Sequence, residues 1–239
     1  MRISHPKCSI LNIGPNQQNN SFQIDQNKIK EVDHVCDLGV TIDSKLKFKI
    51  HINAIVSKAS QRKSLILRCF LSRNPLNLVR AFKTYVRPLL EYASTTWSPS
   101  YINEIIAIES VQREFTKRIP GCSNLPYNER LKKLKLQSLE HRRLMADLSM
   151  TYNILHDKIS VNNEFFILNP NRNLRGHPLK ITVSLAKTNT HKFFFSNRII
   201  SVWNSLPAPV VLSRSTLSFE HNLKRINLDN YLIFHSIYE

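Results

Sequence analysis

The sequence predicts an α+β fold: a small N-terminal antiparallel sheet, then a mainly helical bundle, then a loop-rich, partly helical C-terminal region. Two observations predict this class. Short stretches rich in β-branched and apolar residues occupy residues 1–45, and from residue 46 onward apolar residues recur at three- and four-residue spacing. The hydrophobic share, 42% of 239 residues, is enough for a packed core.

The predicted sheet lies within residues 1–45. CSILNIG (8–14) and VCDLGVTID (35–43) have the composition of strands, and FQIDQNKIKEV (22–32) alternates apolar and polar residues. The polar, turn-prone stretch PNQQNNS (15–21) separates CSILNIG from FQIDQNKIKEV. We expect three or four short antiparallel strands, a sheet too small to be stable alone.

Residues 46–157 predict a helical, thumb-like bundle. The first helix carries an apolar stripe and ends before Asn74, and the second runs from about Leu76 to Thr95. Pro88 lies inside that second helix and predicts a kink or a break, because proline has no N–H to donate. Further helices are expected over residues 102–119, 127–134 and 138–156.

The C-terminal third is less regular. Residues 158–192 predict a loop-rich linker with one hairpin around LKITVSLA (179–186). Residues 193–239 predict a small helical segment, with one helix over residues 193–206 and a last helix capped by Ser215.

The charge balance predicts a polyanionic partner. The chain has 34 basic and 17 acidic residues, a formal net charge of +17, which favours nucleic acid first and an anionic membrane surface second. No apolar run approaches the length of a membrane-spanning helix, so we expect no membrane partner. No glycine-rich phosphate-binding motif is present, and only 4 glycines occur.

The basic residues are concentrated in one segment. No acidic residue occurs between Asp43 and Glu91, and a second, sparser acid-free stretch runs from Phe165 to Phe219. Interleaved glutamates would indicate salt pairs along a solvated helix, and this segment has none. The candidate nucleic-acid-binding residues are Lys58, Arg62, Lys63, Arg68, Arg80, Lys83 and Arg87. On the first helix, Lys58, Arg62 and Lys63 are expected to lie away from the apolar stripe. The alternative is a solvated helix face that binds nothing.

Motifs for catalysis or for a metal are missing. The four cysteines form no CxxC pair, and no two histidines have ligand spacing. His34 and Cys36 lie two apart, which is a weak signal for zinc. No Ser/His/Asp set, nucleophile elbow or HExxH motif occurs, so no catalytic residue and no metal ligand is predicted.

Eight segments in order resemble the C-terminal part of reverse transcriptases from non-LTR, LINE-type retrotransposons of the jockey-like kind. The segments are KCSILNIG, DLGVTIDSKLKFKIHI, VRPLLEYASTTWSPS, IESVQREFTKRIPG, LPYNERLKKLKLQSLEHRR, RGHPLK, FFFSNRIISVWNSLP and SFEHNL. The resemblance covers nearly the whole chain. Cys36 departs from it, because an aromatic or charged residue is expected at that position.

The resemblance implies a place within the polymerase. The segment around Leu38 and Gly39 resembles the late palm hairpin that steadies the primer end, the primer-grip hairpin. The helices that follow resemble the thumb, which closes on the template–primer duplex. The Asp-Asp turn that holds catalytic Mg²⁺ in the full-length family enzyme is expected upstream of KCSILNIG, and no adjacent Asp-Asp pair occurs in this chain.

Asp37 and Asp43 flank the DLGVTID segment and are the obvious carboxylates to test as metal ligands. On one ideal strand they would lie about 20 Å apart, whereas two-metal catalysis needs carboxylates converging on ions about 3.5–4 Å apart. We therefore interpret both as strand-end and turn residues.

Two functions remain open at this point. The first is a reverse transcriptase fragment without its catalytic centre, inactive alone, that binds the backbone of an RNA or RNA–DNA duplex and belongs with a missing palm and fingers portion. The second is an independent basic helical nucleic-acid-binding module. The resemblance would place the first in the nucleus or in a cytoplasmic ribonucleoprotein, and no cofactor is expected in this chain itself.

Overall fold

The computed structural model describes residues 7–14, 21–24, 26–161, 165–170 and 175–233. Its α+β architecture confirms the predicted fold class: short strand pairs come first and helices follow. The chain divides into two compact units, residues 1–54 and 55–239. The turn-prone stretch predicted over residues 15–21 lies outside the described residues except for Ser21.

The described residues of the first unit form three pairs of short strands. The strands are β1 (Ser9–Ile10), β2 (Gln23–Ile24), β3 (Asn27–Lys28), β4 (Lys30–Glu31), β5 (His34–Asp37) and β6 (Val40–Asp43). β2 pairs with β3 and β5 with β6 in the antiparallel sense, as predicted. β1 and β4 instead pair in parallel, which the sequence did not predict, because alternation of residue types carries no information on strand direction.

The β5–β6 hairpin turns at Leu38 and Gly39, whose φ angles of +45° and +83° are both positive. Two positive φ angles in a two-residue loop are the signature of a type I′ turn, which matches the twist of a hairpin. Glycine adopts this conformation freely, whereas leucine rarely does. Leu38 is nevertheless 84% exposed, so its side chain is not held there by burial.

Asp43 organises the connection from β6 to helix α1 (Lys49–Cys69). Its carboxylate accepts hydrogen bonds from the backbone N–H groups of Lys45 at 2.9 Å, Lys47 at 3.1 Å and Phe48 at 2.8 Å. A carboxylate that accepts several backbone N–H groups in this way fixes a turn. The interpretation of Asp43 as a turn residue is therefore confirmed.

The second predicted helix is continuous but irregular from Pro75 to Glu91, and it ends before the predicted Thr95, because the backbone leaves the helical conformation at Ala93, whose φ angle is +51°. It comprises α2 (Pro75–Ala81), a π-helical turn (Phe82–Val86) and α3 (Arg87–Glu91). Asn74 caps it, since its side chain accepts from the N–H of Leu76 at 2.9 Å. The widened turn comes immediately before the Arg87-Pro88 step, where an ordinary α-helix would place the proline ring against a carbonyl. The predicted kink thus takes the form of a π-helical turn.

Four more helices complete the bundle: α4 (Ser94–Trp97), α5 (Ile102–Lys117), α6 (Tyr127–Leu134) and α7 (Leu139–Leu155). A buried polar network joins the last three. The carboxylate of Glu109 on α5 accepts from the hydroxyl of Tyr127 and from the N–H groups of Leu139, at 2.9 Å, and Glu140, at 3.3 Å. It therefore stabilises the first turn of α7, where negative charge is favoured.

The C-terminal region packs on α7. Its helices are α8 (Asn189–Phe193), α9 (Phe195–Arg198), α10 (Ile200–Ser205), α11 (Ala208–Val211) and α12 (Thr216–Leu223), followed by a 3₁₀ turn (Asp229–Tyr231). Leu148 and Tyr152 of α7 share one hydrophobic core with Trp203, Phe219 and Leu223. The single helix predicted over residues 193–206 is divided into α9 and α10. The hairpin predicted around residues 179–186 is reduced to one antiparallel bridge, from Leu168 to Ile181.

Among the described residues, no helix is both long enough and apolar enough to cross a lipid bilayer.

Candidate nucleic-acid interface

The seven predicted binding residues fall into three groups by exposure. Lys58, Arg62, Arg68 and Arg80 are exposed, Lys83 and Arg87 are half-buried, and Lys63 is buried. Only the exposed group presents its charge freely to a large polyanion. The outward orientation predicted for Lys58 and Arg62 agrees with the structure.

Lys63 is the exception, and its predicted outward orientation is wrong. Its side chain is 9% exposed, and its ammonium group forms an ion pair with Glu114 on α5. The reason is its helical position, four residues after Ala59 and three before Ile66, both of which are buried on the apolar stripe. The sequence alone shows this spacing, but it does not show that Glu114 is the partner of Lys63.

The outer side of α1 lies next to the π-helical turn. Arg62 donates from Nη1 to the backbone carbonyl of Tyr85 at 3.4 Å. This contact brings the basic residues of α1 beside the segment that carries Lys83. Basic side chains that are distant in sequence therefore share one region of the second unit.

A basic cavity opens between the C-terminal half of α1, the following loop and the end of α5. Its volume is about 860 Å³, and its lining residues are Lys63, Ser64, Leu67, Arg68, Arg73, Glu114, Lys117 and Arg118. Arg68 belongs to the predicted set. Lys117 and Arg118 were missed, because they lie at the C-terminal end of α5, about 50 positions away from Arg68, and nothing in their own neighbourhood marks them.

The charges around this basic cavity are unequal. Lys63 and Glu114 neutralise each other in an ion pair. Arg68, Arg73, Lys117 and Arg118 are exposed, and no ion pair within the described ranges involves them. Arg68 donates from Nε to the carbonyl of Ser64, at 3.4 Å on the preceding turn, which leaves its charge without a carboxylate partner. Four cations thus remain available to a bound anion.

Arg87 belongs to a different arrangement. Its Nε lies 3.7 Å from a carboxylate oxygen of Glu91, and Arg142 of α7 binds the same carboxylate through two nitrogens, one of them at 2.9 Å. Burial and, secondly, the neighbouring Arg142 lower the pKa of Arg87. Arg87 therefore helps to join α3 to α7 and is the least suited of the seven to contact a phosphate.

The Leu38–Gly39 turn projects an apolar side chain from the tip of the β5–β6 hairpin. The resemblance assigned a primer-contacting role to these two residues. The geometry supplies an exposed leucine in a conformation that leucine disfavours, and such residues are often retained at functional positions.

Asp37 and Asp43 do not converge on a metal site. Asp37 pairs with Val40 beside the turn and Asp43 with His34 at the far end of the hairpin, three rungs away, about 10 Å along the strands. The single-strand estimate of about 20 Å is wrong because the chain reverses at Leu38. No group of three or more His, Cys, Asp or Glu residues with metal-binding geometry occurs within the described part of the chain.

The chain is similar to an uncharacterized Caenorhabditis elegans protein, B0403.1, with 30% identity over 124 residues. The aligned region covers 51% of this chain and spans 63% of the length of that protein. No family model matches the chain, and no solved structure matches it.

Proposed function

We propose that this chain binds the sugar–phosphate backbone of an RNA or RNA–DNA duplex through the basic residues of α1, α2 and the basic cavity. The observation that carries the proposal is the exposure of Lys58, Arg62, Arg68 and Arg80 in a segment without any acidic residue from position 44 to 90. Such a surface releases counterions from phosphates on binding, independently of base sequence. Shape and backbone contacts are the usual means of recognising an A-like helix.

We further propose that the chain is the palm-end, thumb and C-terminal part of a non-LTR retrotransposon reverse transcriptase. The eight ordered segments support this assignment, as does the succession of a tight hairpin bearing Leu38 and Gly39 and a basic helix. Catalytic Mg²⁺ would be held by an Asp-Asp pair in the palm and fingers portion of such an enzyme. This chain alone would then bind a template–primer duplex without extending it.

The alternative function is an independent basic nucleic-acid-binding module without a polymerase role. The compactness of residues 55–239 as a unit favours it. Both proposals share duplex binding and differ in the need for a polymerase partner. A primer-extension assay with Mg²⁺ distinguishes them when the chain is mixed with a separately expressed palm and fingers portion of a jockey-like enzyme. Restored extension supports the fragment, and absence of extension favours the module.

The binding proposal is tested by titrating a fluorescent RNA–DNA duplex at several salt concentrations. The test variant reverses two exposed charges, Arg62→Glu and Arg68→Glu. The matched control reverses two exposed lysines elsewhere, Lys132→Glu and Lys187→Glu, so that both variants have the same net charge. Log affinity should fall linearly with log salt, with a slope near −0.7 to −0.9 for each phosphate contacted.

We expect the test variant to bind at least about tenfold more weakly than the control and to show a shallower salt slope by about two contacts. A wild-type affinity that does not change with salt would contradict the proposal. So would an equal loss of affinity in the two variants, because it would mean that net charge alone, and not this surface, determines binding.

A further inference from the structure

The basic cavity differs from the outer side of α1 in being concave. Cations reach it from three segments: Arg68 from α1, Arg73 from the loop that follows, and Lys117 with Arg118 from the end of α5. A volume of about 860 Å³ lies in the range of cavities that enclose small ligands, about 300–1,000 Å³. A regular duplex backbone runs along a surface and has no need of such an enclosure.

Building on the proposed function, we infer that this cavity binds a chain of two or three linked phosphates. Such a group carries several negative charges in a small volume, and the cavity is lined by four cations that form no ion pair with any residue in the described part of the chain. Arg68, Arg73 and Arg118 supply the planar forks of donors that bind phosphate oxygens in pairs, and Lys117 supplies a point charge. The hydroxyl of Ser64 is a further donor on the same wall.

The lining also determines what the cavity does not recognise. Among the described residues that line it, none has an aromatic side chain on which a base could stack, and Leu67 is the single apolar one. Base recognition commonly uses aromatic stacking and amide groups. The ligand is therefore bound through its phosphates, irrespective of the base attached to them. It comes either from a free nucleotide or from the 5′-triphosphate end of an RNA strand.

Glu114 is the one carboxylate among the described residues that line the cavity, and it opposes an anionic ligand. Its side chain is 61% exposed while its partner Lys63 is 9% exposed, so the carboxylate stands at the solvent side of the ion pair. Replacing it by glutamine removes one negative charge and retains an oxygen that accepts from Lys63. Glu114→Gln should therefore strengthen binding of the phosphate chain, an effect opposite to that of most substitutions in a binding site.

The test measures binding of tripolyphosphate to the full chain by calorimetry at low salt without divalent metal. We expect one equivalent to bind, with orthophosphate at least about tenfold weaker because fewer charge-assisted hydrogen bonds form. Arg73→Glu with Lys117→Glu should weaken binding at least about tenfold, whereas Lys132→Glu with Lys187→Glu should change it by less than about threefold. Glu114→Gln should tighten it, and ATP and UTP should bind equally well.

The inference is overturned if several equivalents bind with similar affinity, or if the cavity variant loses no more affinity than its control. It is also overturned if Glu114→Gln weakens binding while its thermal unfolding matches that of the wild type. Comparing RNA with a 5′-triphosphate and RNA with a 5′-hydroxyl identifies the source. A preference for the triphosphate end that Arg73→Glu abolishes assigns the cavity to strand ends, and no preference assigns it to free nucleotides.

These outcomes are separable from those of duplex binding. If the duplex binds with the expected salt slope and tripolyphosphate does not bind, the cavity inference fails and the proposed function stands. If tripolyphosphate binds and the duplex does not, the cavity is a phosphate site and the proposed function fails.

Discussion

The basic side chains on the outer side of α1 and those packed around α7 lie in opposite environments. Lys58 and Arg62 are exposed, and within the described residues neither forms an ion pair. Arg143 is 2% exposed, and Arg198 binds both carboxylate oxygens of Asp147 at 2.9 Å while also donating to the carbonyl of Thr95 at 2.8 Å. Basic side chains are therefore exposed charges in one region, whereas in the other they are buried or hold helices together through ion pairs and hydrogen bonds.

The two environments differ because carboxylates lie close to the arginines around α7 and are missing from the sequence segment that forms α1. Glu91, Glu109 and Asp147 reach the arginines around α7, whereas the segment before Glu91 has no acidic residue with which to neutralise α1. The count of 34 basic residues thus overstates the number of positive charges available for binding, because some of them are paired with carboxylates in the core. Lys63 shows that this can happen even on α1, once α5 supplies Glu114.

The largest effect on stability is expected from Arg198→Ala. It would leave the carboxylate of Asp147, which is 4% exposed, buried without its partner. Breaking a buried pair in this way costs about 3–5 kcal/mol of unfolding free energy. Urea unfolding would measure the loss, with Arg214→Ala, at an exposed arginine, as the control. A loss of less than about 1 kcal/mol would contradict the structural assignment of Arg198.

Replacing Asp147 as well should recover part of that loss, because the double variant Arg198→Ala with Asp147→Ala removes both charges of the pair and leaves no buried carboxylate at position 147. If the two losses simply add, the residues do not act as a pair.

A somewhat smaller effect is expected from Glu109→Ala. The substitution removes the acceptor for the Tyr127 hydroxyl and for the first N–H groups of α7, and each unsatisfied buried donor costs about 1–3 kcal/mol. We expect a loss of about 2–4 kcal/mol in the same assay. Glu129→Ala, an exposed glutamate on α6, is the control and should cost less than about 1 kcal/mol. Equal losses would mean that the network around Glu109 does not stabilise the bundle.

The third effect is a loss of stability at low pH that depends on His177. His177 is 1% exposed, and its Nε2 donates to the carbonyl of Trp203 at 3.1 Å, while its Nδ1 has no hydrogen-bond partner among the described residues. Burial lowers the pKa of His177 below its ordinary 6.5, and the nearby Lys180 acts in the same direction. The unfolded chain therefore binds this proton first. The buried, neutral His177 therefore makes its full contribution to the stability of the fold above pH 6.5. That contribution is lost as the pH falls through the lower pKa of His177 in the folded state.

Thermal unfolding between pH 4 and pH 8 would show this, with His177→Gln as the comparison because glutamine keeps a donor for Trp203 and does not titrate in this range. We expect the wild type to lose more stability than the variant below pH 6.5. Because other groups titrate alike in both proteins, the difference isolates His177, and parallel curves would contradict its buried, neutral state.

The smallest effect on stability is expected from Lys58→Ala and Arg62→Ala. Both side chains are exposed, so each substitution should change the unfolding free energy by less than about 0.5 kcal/mol. The same variants should weaken duplex binding and reduce its salt slope by about one contact each. A larger loss of stability would place these residues with the structural arginines around α7.

Local signals explain why several elements were predictable. The cap at Ser215 functions as predicted, and Asn74 caps α2, although α1 already ends at Cys69, before the predicted stop at Asn74-Pro75. The DLGV sequence forms the hairpin that the resemblance implied, whereas its composition alone predicted a strand. The predicted helix over residues 127–134 coincides with α6. Each of these features depends on residues within a few positions of one another, which is the range over which a sequence pattern carries information.

What escaped prediction depends on distant partners. The cavity combines Arg68 with Lys117 and Arg118, and the burial of Lys63 requires Glu114, so both depend on how α1 packs against α5. Arg87 behaves likewise, because Arg142 and Glu91 decide its environment. Exposure and ion pairing are tertiary properties, and counting basic residues along the segment could not separate Arg62 from Lys63.

Lysine footprinting tests the proposed binding surface on α1 most directly. The chain is acetylated briefly with and without a bound RNA–DNA duplex, and the modified lysines are quantified by mass spectrometry. Lys58 and Lys117 should be protected by the duplex, whereas Lys132, Lys187 and Lys224, all exposed elsewhere, should react equally in both samples. Protection spread evenly over all five lysines, or confined to the last three, would contradict a binding surface on α1 and its cavity.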